Sequence, residues 1–382
     1  MPLPPVYGHA DALAMLAQAA RAGNLSQSLL VHGPAGIGKE RVALWLAQLI
    51  LCEQPQADGP CGRCRNCRQI ERLEHPDVHW FFPLPRPDAP TPEKLRDRLE
   101  EARGAELEAR RANPHHLPQY EKAPAYFMGT IQNLQRLAAV RPAVGSRKVF
   151  VVGDAEAMVP QESSPEAANA FLKLLEEPPA DTTLILTSSN PGALLPTIRS
   201  RVLPIRLLRL APEEVAAFLV REMSMDRAEA ASLAGIAEGA IGRALRLMPG
   251  AGGAGTLQRL RETGRDLLAA ALADGEAQRF AAANAVAPSG ARGEFSGTLE
   301  ALALWLRDLM AVAAGAPDSV AYAAPADEAL LRKLAARPGV RPEGVARAIL
   351  RVQEAQALAA GNVNPQLILA DLLGGIRRAL AS

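Results

Sequence analysis

Aromatic residues are scarce, at 4% of 382 residues, which argues against a surface built to stack bases on aromatic rings. No charge of one sign dominates: 42 Lys and Arg oppose 41 Asp and Glu, for a net of +1. Bulk charge therefore neither demands nor excludes nucleic acid, and any phosphate contact must come from local patches. No apolar run approaches the ~18 uninterrupted residues of a membrane span. The opening Met-Pro-Leu-Pro-Pro lacks a basic stretch followed by an apolar run, so no secretory signal is expected and the reading is a cytoplasmic protein without membrane contact. Cysteine is confined to four positions, Cys52, Cys61, Cys64 and Cys67. In a large chain without a secretory signal, that clustering favours a metal over disulfides.

The apolar share of 48% is enough for real hydrophobic cores, and the length suggests two or three domains. Residues 8–22 read as a helix. Ser28–His32 is a short apolar run that ends in the glycine loop Gly33-Pro-Ala-Gly36-Ile-Gly38-Lys39-Glu40, and Val42, Trp45, Leu46, Leu49 and Ile50 then form one helical stripe. Further buried strands are expected at Val149–Val152, at Thr183–Thr187 and, shorter, at Val202–Ile205. A helix over Pro165–Glu177 is stopped by Pro178-Pro179. Strands alternating with helices imply a mostly parallel α/β sheet covered on both faces. Residues 83–125 interrupt this pattern. They are rich in proline and charge, with a helix start at Thr91-Pro92, and read as an insertion that is exposed or partly disordered around one solvated helix over 93–111. From Pro212 the pattern is helical, over 212–222, 226–237 and 240–248. Pro249–Gly255 reads as a flexible linker, and 256–382 is helical again. The expected division is a P-loop-like domain over 1–207, a helical lid over 208–249 and an all-helical domain over 256–382.

A strand, a glycine loop and a helix make the context of a phosphate cradle. Gly33, Gly36 and Gly38 free backbone N–H groups to converge on phosphate, and Lys39 reaches the terminal phosphates. The pattern normally ends in Ser or Thr, whose hydroxyl holds magnesium, and here Glu40 stands in that place. The expectation is a degenerate cradle that binds nucleotide weakly or not at all. After Val149–Val152 an active site of this kind carries Asp-Glu, but this chain has Asp154-Ala155-Glu156. On an extended strand end, the one-residue delay turns Glu156 to the other face and leaves Asp154 as a structural remnant. An ordinary Gly-Asp turn fits that stretch almost as well.

The cysteine spacing of x8, x2, x2 lets four thiolates converge on one ion. Four sulfurs close a tetrahedral shell, so zinc there is structural. Free thiols and an iron–sulfur cluster are the alternatives, and His75, His79, His115 and His116 are surplus to a complete shell. Arg201, in Arg199-Ser200-Arg201-Val202, lies between two strands, where an arginine can reach a neighbouring subunit's nucleotide or simply be solvated. Arg243 opens a helix and can face the cradle.

Together, Gly33–Lys39, the cysteine spacing, Ala167–Pro179 (ending Leu-Leu-Glu-Glu-Pro-Pro) and Arg199-Ser-Arg201 resemble the delta-prime family of bacterial DNA polymerase III clamp-loader subunits, within the AAA+ proteins. The similarity covers residues 1–250. The last domain resembles a helical collar mainly by composition, with Asn362-Val-Asn364-Pro365 as a weak aid. The resemblance implies a ring-like pentamer in which this chain is the rigid stator without ATPase activity of its own, inside the polymerase holoenzyme. It implies motor (gamma/tau) and delta subunits as partners, and a sliding clamp and primed DNA reached through the complex. It also implies that Arg201 serves the adjacent motor subunit's ATP site in trans, that Ser188 or Ser189 holds the sensor-one position, and that Arg243 holds the sensor-two position. Val202 stands where the family has cysteine. Arg136, Arg141, Arg147 and Lys148 are candidate DNA contacts or solvated charges. Two other functions fit the residues less well. An active motor ATPase is disfavoured by Glu40 and Ala155, and a nucleoside monophosphate kinase gains nothing from a cysteine knuckle or a long helical third domain.

Overall fold

Five parallel strands, β1 (Ser28–His32), β2 (Val78–Phe81), β3 (Lys148–Val152), β4 (Thr182–Ser188) and β5 (Leu203–Arg206), form one sheet in the order β2-β3-β4-β1-β5. The computed structural model describes all residues except 1, 119, 121, 160–165, 249–255, 274, 287–291, 318–319, 321–324, 360–362 and 382. The apolar runs of the central strands alternate between two cores. Leu29, Val31, Val149, Val151 and Ile185 face one side, where α1 (Ala10–Arg21) and α2 (Lys39–Leu51) cover them. Leu30, Phe150, Val152, Leu184 and Leu186 face the other, under α5 (Met128–Ala139) and α6 (Glu166–Glu176). Each such side chain, fully buried, contributes roughly 1.5–3 kcal/mol. Burial on both faces is why these strands are continuous apolar runs rather than alternating ones.

The expected strands at 149–152, 183–187 and 202–205 are present with ends shifted by about a residue. The edge strand β2 was not expected. The helix expected over 165–177 is present as α6, and Pro165 lies outside the described residues. The short helix α3 (Arg65–Glu71) follows the cysteine run.

The insertion differs most from expectation. Its neck is closed by a single antiparallel bridge between Leu84 and Ala125, with reciprocal backbone hydrogen bonds of 3.2 and 2.9 Å. Thr91 Oγ1 accepts from Lys94 N–H at 3.3 Å and starts α4 (Pro92–Ala112), with Pro92 at the first helical position. Leu99 is buried, and Ala102 and Leu107 pack against the core. Arginines do the rest of the docking. The Arg103 guanidinium lies 4.8 Å from the Phe81 ring and donates to the Trp80 carbonyl, while Arg111 donates to the Leu73 carbonyl. The helix is thus half docked rather than simply solvated, because its inner face uses cation–π and charge-assisted contacts in place of an apolar stripe.

The chain divides into two compact units, Met1–Arg246 and Leu247–Ser382. The helices expected to form a lid, α8 (Pro212–Met223), α9 (Arg227–Ala237) and α10 (Ile241–Leu247), follow β5, and up to Arg246 they belong to the first unit. Backbone bonding explains this, because Gly242 N–H donates to the Gly36 carbonyl at 2.8 Å. Tyr7 adds to it, packing edge-on against Phe218 at 5.1 Å. The expected linker over 249–255 lies outside the described residues.

The second unit contains α11 (Thr256–Ala271), α12 (Glu276–Asn284), α13 (Arg292–Ala313), α14 (Pro325–Ala335), α15 (Pro342–Ala359) and α16 (Pro365–Ala381). α13 is central and buries Leu302, Trp305, Leu306 and Leu309. The indole of Trp305 donates to the Arg261 carbonyl at 2.9 Å. Asn364 Oδ1 accepts from Gln366 N–H at the start of α16, and Asn362 lies outside the described residues. No described helix is long and apolar enough to cross a membrane.

Candidate functional site

The glycine loop leaves the carboxyl end of β1 and feeds α2. Gly36 and Gly38 have φ of 77° and 96°, backbone that other residues rarely adopt. The loop is already occupied by its own groups. Lys39 is buried, and its Nζ donates to the Pro34 carbonyl at 2.9 Å and to Ser189 Oγ at 2.8 Å. Of the two candidate serines after β4, Ser189 therefore meets the lysine, while Ser188 Oγ accepts from Asn190 N–H. Burial pulls the Lys39 ammonium down from its usual pKa against the opposing pull of Asp154, Glu156 and Glu40. A Cβ at Gly242 would lie 2.9 Å from Gly36 Cα, so two glycines let the lid rest directly on the cradle backbone.

Glu40 does not point at the cradle mouth alone. Its Oε1 lies against Gly153 Cα, leaving no room for a side chain there. Its Oε2 meets the Arg110 guanidinium of the insertion at 3.6 Å. Asp154 has a left-handed backbone (φ 44°), and its N–H donates to Thr187 Oγ1 at 3.1 Å. Burial, then the charges of Glu40 and Glu156, push its carboxyl up to about 6. Glu156 corrects the sequence expectation. After Asp154 the chain winds into a 3₁₀ turn over Ala155–Met158 rather than continuing extended. Glu156 Oε1 consequently stays at this end of the sheet and accepts from the N–H groups of Ser189 (2.8 Å) and Asn190 (3.2 Å). Its delay in sequence does not turn it away; it serves the loop after β4.

Arg243 does not reach the cradle. Its Nη1 pairs with Glu238 Oε2 at 3.1 Å, and Arg209 meets the same carboxylate at 3.0 Å. A cavity of about 470 Å³ remains between Lys39, Glu40, Ile241, Phe218, Arg110 and His115. Two of those six belong to the insertion.

Arg201 stands elsewhere, just past the short helix α7 (Pro196–Arg199), which begins at a proline and precedes β5 in the chain. It is exposed. Its Nη2 pairs with Glu176 at 2.9 Å, and its Nη1 donates to the Thr197 carbonyl at 3.0 Å. Lys148 corrects another expectation. It is buried, and its Nζ donates to the carbonyls of Leu137, Ala138 and Val140, closing the carboxyl end of α5 instead of facing solvent. Arg136 donates to Asn133 Oδ1.

The four cysteine sulfurs lie within 4.8 Å of one another and form a group that can hold a metal ion. Among the described residues no histidine joins it. The backbone N–H groups of Cys61, Cys64 and Cys67 point at the sulfurs of Cys52, Cys61 and Cys64, at 3.3, 3.3 and 3.4 Å. N–H donors aimed at sulfur favour thiolates, and those from Arg63 and Cys64 lower the Cys61 thiol to about 6. The knuckle is tied to α2, where Asn66 Nδ2 donates to the Leu51 carbonyl and Gln48 Nε2 to the Cys67 carbonyl.

A family profile described as DNA polymerase III, delta subunit, matches residues 8–211, more than half of the chain. The chain belongs to this family. Within the matched region lie the cradle, the cysteine cluster and Arg201. The DNA polymerase III subunit delta' of Pseudomonas aeruginosa is 36% identical over 177 residues, covering 46% of this chain and 41% of that protein. The Escherichia coli subunit delta' is 29% identical over 231 residues, covering 60% and 57%. The subunit tau of Salmonella typhimurium is 29% identical over 210 residues, covering 55% of this chain and 26% of that protein. These matches span about half the length of the delta' relatives. They agree with the delta-prime resemblance drawn from the motifs. No local pattern announces the Glu40–Arg110 pair, the Gly36–Gly242 contact or the Glu176 partner of Arg201, because each joins separate elements that only the fold brings together.

Proposed function

We propose that this chain is the delta-prime-type stator of a DNA polymerase III clamp loader, and that it lends Arg201 to the ATP site of an adjacent motor subunit. The observation that carries the reading is the contrast between two sites on one unit. The lysine of the glycine loop is bonded to Pro34 and Ser189 and the expected magnesium position holds a carboxylate, while Arg201 is exposed just past a short helix, held by the surface carboxylate of Glu176, the Thr197 carbonyl and Ser200 Oγ. A guanidinium in that position can bond two phosphate oxygens at once and offset charge that develops during phosphoryl transfer. The tau match does not favour a motor role for this chain, since Glu40 lacks the hydroxyl that motor chemistry needs.

In this reading the partners are motor (gamma/tau) and delta subunits, with the sliding clamp and primed DNA met through the assembly. The first unit is an AAA+ module with its lid, and the second is a collar. The four cysteines hold zinc. Ideal Zn–S bonds of about 2.3 Å place sulfurs roughly 3.8 Å apart, close to the 4.0 Å between Cys61 and Cys67. Such an ion has no position left for water, so it fixes the knuckle and takes no part in a reaction.

The test is a clamp loader reconstituted with Arg201→Ala in this chain. The expected result is unchanged assembly and a lower DNA-stimulated ATPase rate, by less than the roughly 10³–10⁵ of a sole in-trans arginine because other sites remain. A loader that keeps its full rate with the variant incorporated overturns the assignment.

A further inference from the structure

The side chain at the end of the glycine loop and the insertion make a matched pair. Arg110, near the end of α4, is nearly buried at 11% exposure, against 33% for Glu40. Its guanidinium carbon lies 4.3 Å from the Trp80 ring centroid and 4.3 Å from that of Phe82. Its Nε donates to Glu106 Oε1 at 2.9 Å, one turn back on the same helix. Its remaining edge faces Glu40. Beyond α4 the chain continues into the cleft. His116 pairs with Glu106 at 3.4 Å, and the His115 ring stands edge-on to Phe218 of the lid at 5.4 Å. Insertion, glycine loop and the helices after β5 therefore line one cleft beside the nearly buried Arg110.

We propose that the former magnesium position has become a docking site for the chain's own insertion, with Glu40 as the carboxylate that anchors Arg110. This rests on reading residues 33–40 as a cradle, and does not rest on Arg201. Electrostatics supports it. A guanidinium withdrawn from water is costly unless carboxylates and hydrogen bonds compensate it, and Glu106 and Glu40 supply both. Glu40, Asp154 and Glu156 crowd one another, as the raised Asp154 carboxyl records, and Lys39 and Arg110 are the cations that ease the crowding. A hydroxyl at position 40 would leave Arg110 one carboxylate short and Asp154 with one fewer repulsive neighbour. The substitution that removes magnesium chemistry is thus the same one that holds the arm. A magnesium ion at that position would meet a cation already held by two rings and two carboxylates.

The test is a double-mutant cycle on the full chain with Glu40→Gln and Arg110→Met, read by hydrogen exchange of the amides over 113–118. Each single variant is expected to raise exchange there about tenfold, and the double variant no further than the more affected single. Far-UV circular dichroism and metal content confirm that the variants fold. Arg110→Lys, which keeps the charge but not the planar stack, should fall between wild type and Arg110→Met. Magnesium ATP at millimolar concentration should leave exchange in the wild-type chain unchanged. Independent, multiplying effects of the two substitutions, no effect of either, or protection of 113–118 by magnesium ATP would overturn the proposal. None of these readouts depends on motor ATPase rate, so failure here is separable from failure of the Arg201 assignment.

Discussion

The guanidinium of Arg201 meets the Glu176 carboxylate at 2.9 Å, joining the turn after α7 to the end of α6. Both side chains are more than a third exposed, at 36% and 48%, and exposed ion pairs contribute about 0–1 kcal/mol. A pair this exposed costs little to break, which the proposed role of Arg201 requires. Glu176→Gln is therefore expected to change the melting temperature by less than about 3 °C. A thermal melt checks it. A larger fall would make the pair a structural strut rather than a resting place.

The cysteine knuckle carries a second prediction. Cys64 caps α3 through its sulfur and is one of the four candidate ligands, so Cys64→Ser removes a ligand and weakens a cap together. Structural zinc contributes on the order of 10–16 kcal/mol in isolated peptides. Asn66 and Gln48 tie this knuckle to α2 and should limit the loss. One metal ion per wild-type chain by elemental analysis, its loss in the variant and a melting point lowered by several degrees are expected. No metal in the wild type and identical melting curves would contradict the site.

Asp154 gives a pH prediction. Its carboxyl is raised from 3.8 to about 6 by burial and by Glu40 and Glu156, so the folded chain holds a proton there that the unfolded chain has released. The group's contribution to stability is thus fully present below about pH 4 and is lost as pH rises through about 6. Asp154→Asn, which tolerates the left-handed backbone, should raise the melting temperature at pH 7 and leave it nearly unchanged at pH 4. Melts across that range test the sign. A variant less stable than wild type at pH 7 would refute it.

The close approach of lid and cradle is testable at Gly242. A Cβ there meets the backbone of Gly36 rather than a flexible side chain. Gly242→Val should force the lid away at a cost of about 1–3 kcal/mol, lowering the melting temperature by about 3–8 °C. An unchanged melt would show that the contact is dispensable.

The sequence made part of this legible for physical reasons. Strands buried on both faces are continuous apolar runs, and Val149–Val152 and Thr183–Thr187 stand out as such. A four-residue edge strand does not. Val78-His79-Trp80-Phe81 mixes a half-buried histidine, lowered to about 4 chiefly by desolvation, with aromatics and soon runs into prolines. The docked face of α4 was hidden because Arg103, Arg110 and Arg111 form it, and arginine reads as solvent-facing in any count of apolar spacing. Lys148 was misread for the same reason, since a lysine that closes a helix end from a neighbouring strand looks like a surface charge. Glu156 shows the opposite limit, because a single 3₁₀ turn reverses an argument from strand alternation. The candidate cradle and cysteines were visible because their spacing is local. Their partners were not, because Gly242, Arg110 and Glu176 are brought in by the fold.

Lys39 bonded to Pro34 and Ser189, with Glu40 where a magnesium-binding hydroxyl would stand, argues for a glycine loop that does not turn over nucleotide. The most direct measurement is steady-state ATP hydrolysis by the purified chain alone, with saturating magnesium. No turnover above background is expected. A rate within the common enzymatic range of about 1–10³ s⁻¹, abolished by Lys39→Ala, would contradict it.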